Sequence, residues 1–208
     1  MKIVKPKINN PMLQDINTCL KNNEFYNAII KNKIRNNVVI KDITFDSCIF
    51  ENVDFNNMKL ERIDLIDVVF KNCDLSNQVF DKKCLNRVIF ENCKMIGTSF
   101  IESSLKDVSI INFNSKYLNL IGSKIKNLEI IDSNFTESSF SEANIKDIEF
   151  NNVNFTKAEF LKVNLNNIDF SNCDINSIVM DIYSLKGIII NSWQCCEIAG
   201  IIGVKVKN

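Results

Sequence analysis

Every fifth residue is apolar over most of the chain. From Ile40 the register runs through Phe45, Phe50, Phe55, Leu60, Leu65, Phe70, Leu75, Phe80, Leu85, Phe90, Met95, Phe100, Leu105 and Ile110. It misses once, at Ser115, and resumes at Leu120 to reach Ile190. Thirty of these 31 positions are apolar in a chain that is 46% hydrophobic. Independent draws would give that on the order of once in a billion. Thirteen of the fifteen phenylalanines share the register, with Phe25 and Phe113 left outside it.

A second inward position lies two residues earlier and is mostly small or β-branched, as in Cys48, Val53, Cys73, Val88, Thr98, Ser138, Ala143, Ala158 and Val163. The residue between the two is often Asp or Asn. The unit therefore reads small–polar–large–polar–polar. A period of five fits neither a helix nor a flat strand. It fits a chain that turns a corner every five residues, with neighbouring coils satisfying each other's backbone groups in a β-solenoid. An Asn-, Ile- and Lys-rich composition also suggests low complexity, but disordered chains do not hold an apolar register for 150 residues. Gln78 and Lys83 sit at small inward positions. Phe113 and Leu118 are oversized there, and Ser115 is undersized at a large one. These misfits predict a bend or bulge near residues 78–83 and 113–118.

Segments such as Cys73-Asp74-Leu75-Ser76-Asn77, Ala143-Asn144-Ile145-Lys146-Asp147 and Val163-Asn164-Leu165-Asn166-Asn167 resemble the A(D/N)LXX unit of pentapeptide-repeat proteins. The resemblance implies an all-β fold, a right-handed quadrilateral β-helix with four units per coil. Thirty units over 41–190 then make about 7.5 coils, and a rod about 36 Å long at the ~4.8 Å strand spacing.

Solenoid ends need caps, because an open edge invites aggregation. Residues 1–37 are read as an N-terminal cap segment, 38–190 as the β-helix, and 191–208 as a C-terminal helix and tail. Asn191 and Ser192 are helix N-cap types, residues 193–202 are apolar on almost every side, and Gly203 is a stop. Val204-Lys205-Val206 has the composition to add a strand. Such a helix cannot bury all its faces on one coil end, so a second surface is expected over Trp193, Cys196, Ile198, Ile201, Ile202 and Val204. The tail resembles the C-terminal dimerisation module of Qnr-type (quinolone-resistance) pentapeptide proteins, and the resemblance implies a homodimer.

The formal net charge is zero, from 25 basic and 25 acidic residues. Seven bases against two acids give residues 1–37 a charge of +5, whereas residues 38–185 carry −7. Outward residues twenty apart stack on one face. The face around Phe50, Phe70, Phe90, Ile110, Ile130, Phe150 and Phe170 carries Glu51, Glu91, Glu129, Asp132, Glu149 and Asp169, with Lys71 as its only base. The face beside it stacks Lys106, Lys126 and Lys146. An acidic column costs stability by repulsion. It reads either as an imitation of a DNA phosphate path or as a solvated face interleaved with Asn52, Asn72, Asn92, Asn112, Asn152 and Asn172.

There is no histidine, and the eight cysteines form no C-x-x-C pair. His-based catalysis is excluded. Neither a metal site, a cofactor nor a catalytic constellation is read from the sequence. The thiols are taken as free, buried and apolar in role. No run of 18 apolar residues and no signal peptide is present, so a cytoplasmic protein without membrane attachment is expected. Balanced charge argues against direct nucleic-acid binding. The Qnr-type resemblance implies a non-enzymatic, DNA-mimicking partner of type II topoisomerases, DNA gyrase or topoisomerase IV. The alternative is a structural or adaptor protein with an unrelated protein partner.

Overall fold

The computed structural model describes residues 2–31, 38–56 and 58–207. Its chain forms a β-solenoid of about eight turns with a short C-terminal helix. In chain order the elements are β1 (Met12–Leu13), α1 (Ile16–Asn22), β2 (Phe25–Tyr26), β3 (Ala28–Lys31), β4 (Val38–Lys41), β5 (Thr44–Asp46), β6 (Ile49–Glu51), β7 (Met58–Glu61) and β8 (Asp64–Lys71). Then come β9 (Cys84–Glu91), β10 (Ser104–Ile111), β11 (Lys124–Asn134), β12 (Asn144–Asn154), β13 (Glu159–Phe160), β14 (Val179–Met180), α2 (Ile182–Leu185), a 3₁₀ turn at Ser192–Gln194, and α3 (Cys195–Ile201). All strand pairs among the described residues are parallel, and from Phe25 onward they join residues twenty apart. Phe50 lies on Phe70, Phe70 on Phe90, Phe90 on Ile110, Ile110 on Ile130 and Ile130 on Phe150.

The five-residue unit has a backbone cause. Twenty-five non-glycine residues at the second place after a large inward position have φ between +48° and +64°. This left-handed conformation turns each corner. Asn and Asp tolerate it best, which accounts for the Asn-rich composition. The Asp or Asn just before the large residue closes the same corner. Asp54, Asp74, Asn134 and Asn154 accept from the backbone N–H two residues on, at 2.8–3.0 Å. Such local side-chain bonds are typical of these residues.

Inside, large residues stack one coil apart. Phe50 and Phe70, Phe70 and Phe90, and Phe80 and Phe100 each lie 5.1 Å apart by ring centroids and nearly parallel. Polar atoms of small inward residues bond to backbone carbonyls at several positions, though the buried Ser123 Oγ has no partner among the described residues. Thr98 Oγ1 donates to Leu75 O at 2.8 Å and Ser138 Oγ to Phe135 O at 2.7 Å. The thiols of Cys48, Cys73 and Cys93 occupy the same kind of position. Burial pushes the Cys48 thiol up to about 12 and the Cys173 thiol to about 11. A thiol reagent added to native protein should therefore modify the exposed Cys84, Cys195 and Cys196 rapidly. Cys19, Cys48, Cys73 and Cys93 should react only after denaturant is added. Rapid modification of all eight in the native state would contradict the packing.

The stack starts earlier than residue 38. Phe25 pairs with Phe45, their rings 4.7 Å apart, and Ile30 pairs with Phe50. Phe25 and Ile30 thus belong to the five-residue register, which residues 32–37 conceal; those lie outside the described residues. Ahead of them α1 buries Ile16 and Cys19 against the core. The first residues run along the side of the rod. The Val4 amide donates to Asp107 at 3.2 Å and the Lys7 amide to Asp67 at 2.8 Å. Burial opposes ionisation of Asp67. Even so, the Arg87 guanidinium and the Lys7 amide hold its carboxyl below the usual range.

The expected bend at 113–118 is absent. Ser115 lies inward with its Oγ on Asn134 O at 2.9 Å, while Phe113 and Leu118 are buried beside it. Volume missing at one position is supplied by the next two, and the ladder runs on through Asn114 and Asn119. At 78–83 the ladder does open. Among the described residues no backbone hydrogen bond joins 58–62 to 77–83. There Met58 and Gln78 follow one another at the small position. The Gln78 side chain replaces the missing rungs, donating to Phe55 O at 2.9 Å and Met58 O at 3.0 Å.

Near the C-terminal end α2 displaces the register by one residue. Ser184 is fully buried, its Oγ accepting from the Val163 amide at 3.0 Å, and Leu185 is only half-buried, not inward as its place in the period predicts. Asn191 caps the 3₁₀ turn with a full capping box before α3 begins. Residues 204–206 form no strand.

Candidate functional site

The parallel register places the acidic residues on one face but in separate columns, Glu51 and Glu91 in one and Glu129 and Glu149 in another. Toward the N-terminal end, Glu51 binds Lys31 Nζ at 2.7 Å, and Glu91 meets Lys71 at 3.6 Å. The Lys31 ammonium holds the Glu51 carboxyl below its usual range. These two acids are balanced by lysines, one of which, Lys31, lies before residue 38 and so escaped the tally of the face. Toward the C-terminal end, Glu129 and Glu149 are register partners in adjacent coils. Ser109 Oγ donates to Glu129, and Asn152 donates to Asp132 at 2.7 Å. Asp169 accepts from the Ser171 amide at 2.8 Å, and hydrogen bonding from Ser171 holds its carboxyl below the ordinary range. It thus closes a corner in the way Asp54 and Asp74 do. Of the asparagines interleaved beside this face, Asn72 donates to Asn52 at 3.2 Å. On the neighbouring face Lys106, Lys126 and Lys146 stack in register.

A groove of about 670 Å³ interrupts the acidic column. It is lined by Ile145, Asp147, Ile148, Glu149 and Phe150 on one lip and by Asn164, Asn166, Asn167, Ile168 and Asp169 on the other. The ladder is broken here. Phe140 and Glu142 donate to the coil above at Glu159 and Leu161, as Phe155 and Lys157 do to Asp174 and Asn176. The equivalent bonds from Ile145, Asp147 and Phe150 are not made. Excess volume is the physical reason. The small position of this column grows from Cys48, Val68, Val88 and Val108 to Leu128, Ile148, Ile168 and Ile188, next to six phenylalanines between 135 and 170. The ladder holds between Leu128 and Ile148 and opens at the next step. The sequence carried this signal in the enlarged small positions.

The C-terminal set also divides. Ile198 and Ile201 are half-buried against the rod, because α3 lies on the last coil with that side inward. Trp193 is 90% exposed, Ile202 57% and Val204 52%, and Cys196 is exposed as well. With Val206, they form an apolar end surface. No helix among the described residues is long and apolar enough to cross a membrane.

Inward pairs every five residues, left-handed corners and a twenty-residue parallel register define a solenoid of five-residue units. A family model described as a pentapeptide repeat region matches residues 43–120 and 83–160, and the chain belongs to that family. It is similar to the solved full-length QnrB1, a plasmid-mediated fluoroquinolone resistance protein, at 19% identity over 88% of this chain and 93% of that one, with a TM-score of 0.48. It is also similar to HetL, a pentapeptide repeat protein involved in heterocyst differentiation regulation from the cyanobacterium Nostoc sp. strain PCC 7120. That likeness has 13% identity over 85% of this chain and 96% of that one, with a TM-score of 0.34. No curated protein gives a significant match.

Proposed function

We propose that the protein is a non-enzymatic, cytoplasmic binding protein that engages a type II topoisomerase, DNA gyrase or topoisomerase IV, where the enzyme otherwise holds DNA. It acts as a homodimer joined at its C-terminal ends. It protects the enzyme from fluoroquinolones or toxins, as the Qnr-like tail implies. The observation that carries the reading is the run Glu129, Asp132, Glu149, Asp169, with Glu129 and Glu149 stacked one coil apart. Like charges at the ~4.8 Å coil spacing repel, and a cationic partner would relieve that repulsion. In a dimer joined at the C-termini these acids lie nearest the two-fold axis, where a two-fold enzyme can meet both copies. The exposed Trp193, Ile202 and Val204 supply the apolar centre that such a contact needs.

The test is direct binding of purified gyrase and topoisomerase IV to wild-type protein and to Glu129→Lys/Asp132→Lys. Both positions tolerate lysine. Glu129 points outward from a strand, and the corner conformation of Asp132 is the one Lys82, Lys157 and Lys162 already adopt. The reversal should weaken binding about tenfold or more with an unchanged melting curve, and wild-type binding should fall with salt, since screening acts within about 8–10 Å. Full binding by the reversed protein would make the column a solubility device. The lysine-paired Glu51 and Glu91 favour a second reading, an adaptor with another protein partner, because they shorten the acidic path to a few coils. Absence of binding by wild-type protein to either topoisomerase would leave the adaptor.

A further inference from the structure

The groove beside β12 and the chain's own tail are complementary. The groove offers an open strand edge. By the repeat's own pattern, the N–H groups of Ile145, Asp147 and Phe150 face the gap, and no backbone partner takes them. Open backbone donors on a strand edge, here at the half-buried Ile145, the exposed Asp147 and the buried Phe150, seek a strand to pair with. The lining carries three carboxylates, Asp147, Glu149 and Asp169, and no base. The tail after Gly203 reads Val204-Lys205-Val206-Lys207, a period-two alternation of β-branched and basic residues. In the single chain it pairs with nothing as a strand, and Val204 and Val206 are each 52% exposed.

We propose that the tail of a second copy, residues 204–207, adds as a strand to the edge of β12 in this groove, and that the exchange is mutual across the dimer. Backbone pairing supplies the affinity, as in other strand additions, and the alternating side chains supply the register. Lys205 and Lys207 fall to the acidic side and Val204 and Val206 toward the apolar lining of Ile145 and Ile148. The single chain keeps Val204 N bonded to Ala199 O, off any strand edge, so the occupant proposed is the tail of a second copy. The apolar end surface beside it also needs a covering copy. Four residues extend about 13 Å, the length of strand edge from Ile145 to Ile148. This inference rests on the homodimer of the proposed function and not on the topoisomerase; it gives Glu149 and Asp169 to the tail and leaves Glu129 and Asp132 to the enzyme.

Amide hydrogen exchange read residue by residue tests it, with light scattering on the same samples. In dimeric wild-type protein the Ile145, Asp147 and Phe150 amides should exchange about tenfold more slowly than in Lys205→Glu/Lys207→Glu. Adding Asp147→Lys and Glu149→Lys to that variant should restore the protection. A synthetic peptide of residues 203–208 should protect the same amides in the Lys205→Glu/Lys207→Glu protein, and its copy N-methylated at alternate amides should not. Equal exchange in a dimeric wild-type protein and its dimeric tail variant would overturn strand exchange and leave the dimer standing. Protection in a protein that scatters as a monomer would place the chain's own tail in the groove and overturn the exchange. A monomer with fast amides would remove dimer and exchange together. Equal protection by the N-methylated peptide would reduce the contact to charge and overturn strand addition.

Discussion

Phe155→Ala should destabilise the protein by about 3–5 kcal/mol, the usual cost of emptying a fully buried phenylalanine site. Phe155 is fully buried. Its ring lies 4.8 Å from Phe150, 5.4 Å from Phe160, 5.8 Å from Phe170, 5.9 Å from Phe135 and 6.0 Å from Phe140. Most of these are edge-on, the geometry in which aromatic pairs contribute beyond their buried area. Two coils lose contacts at once, and the void cannot collapse without shifting a paired backbone. For a chain of this length the midpoint of thermal unfolding should fall by roughly 10 °C. Phe155→Leu, which keeps most of the volume, should cost far less. A melting curve for Phe155→Ala that overlays the wild type would mean that the ring does not fill the interior.

Gln194→Ala should cost about 2–4 kcal/mol and promote aggregation. Gln194 is almost fully buried at the end of the rod. Its Nε2 donates to Phe170 O at 2.8 Å and Cys173 O at 2.7 Å, and its Oε1 accepts from the Asn191 amide at 2.9 Å. These carbonyls would point at the next coil if there were one. The side chain supplies the missing donors and ties the 3₁₀ turn down over the edge. Gln78 does the same at the internal break near residue 58, so one device serves the end of the rod and that break. Removing it leaves the Cys173 carbonyl without a partner, the costly case for a hydrogen bond, and leaves Phe170 O with only the Cys173 amide. Gln194→Glu cannot donate and should be no milder. Chemical denaturation with light scattering reads both effects, and an unchanged midpoint for Gln194→Ala would contradict the capping role.

The fold was legible because a solenoid couples each residue to its equivalents in neighbouring coils. One apolar misfit in 31, Ser115, is visible against such regularity, and so is the Asp or Asn that closes each corner. What escaped was arithmetic across coils. Phe113 and Leu118 looked disruptive singly, yet they fill the room Ser115 leaves. Leu128, Ile148, Ile168 and Ile188 looked harmless singly, yet together they overfill one column and open the groove. Phe25 and Ile30 were hidden because residues 32–37 interrupt the pattern. The candidate site was legible as a column of charge, but charge pairing was not. Whether Glu51 meets Lys31 or solvent depends on side-chain reach across coils, and Asp169 looks like any surface carboxylate until its turn is seen. Outward residues carry little of the folding constraint, so function is written there with less redundancy than the interior.

Supercoiling by DNA gyrase, with and without a fluoroquinolone, titrated with this protein, is the most direct measurement of whether the rod stands in for DNA. If it does, low concentrations should restore drug-inhibited supercoiling, and Glu129→Lys/Asp132→Lys should lose that effect while melting normally. Drug inhibition that stays the same at every concentration of a folded, dimeric wild-type protein, with no binding to gyrase or topoisomerase IV, would contradict it.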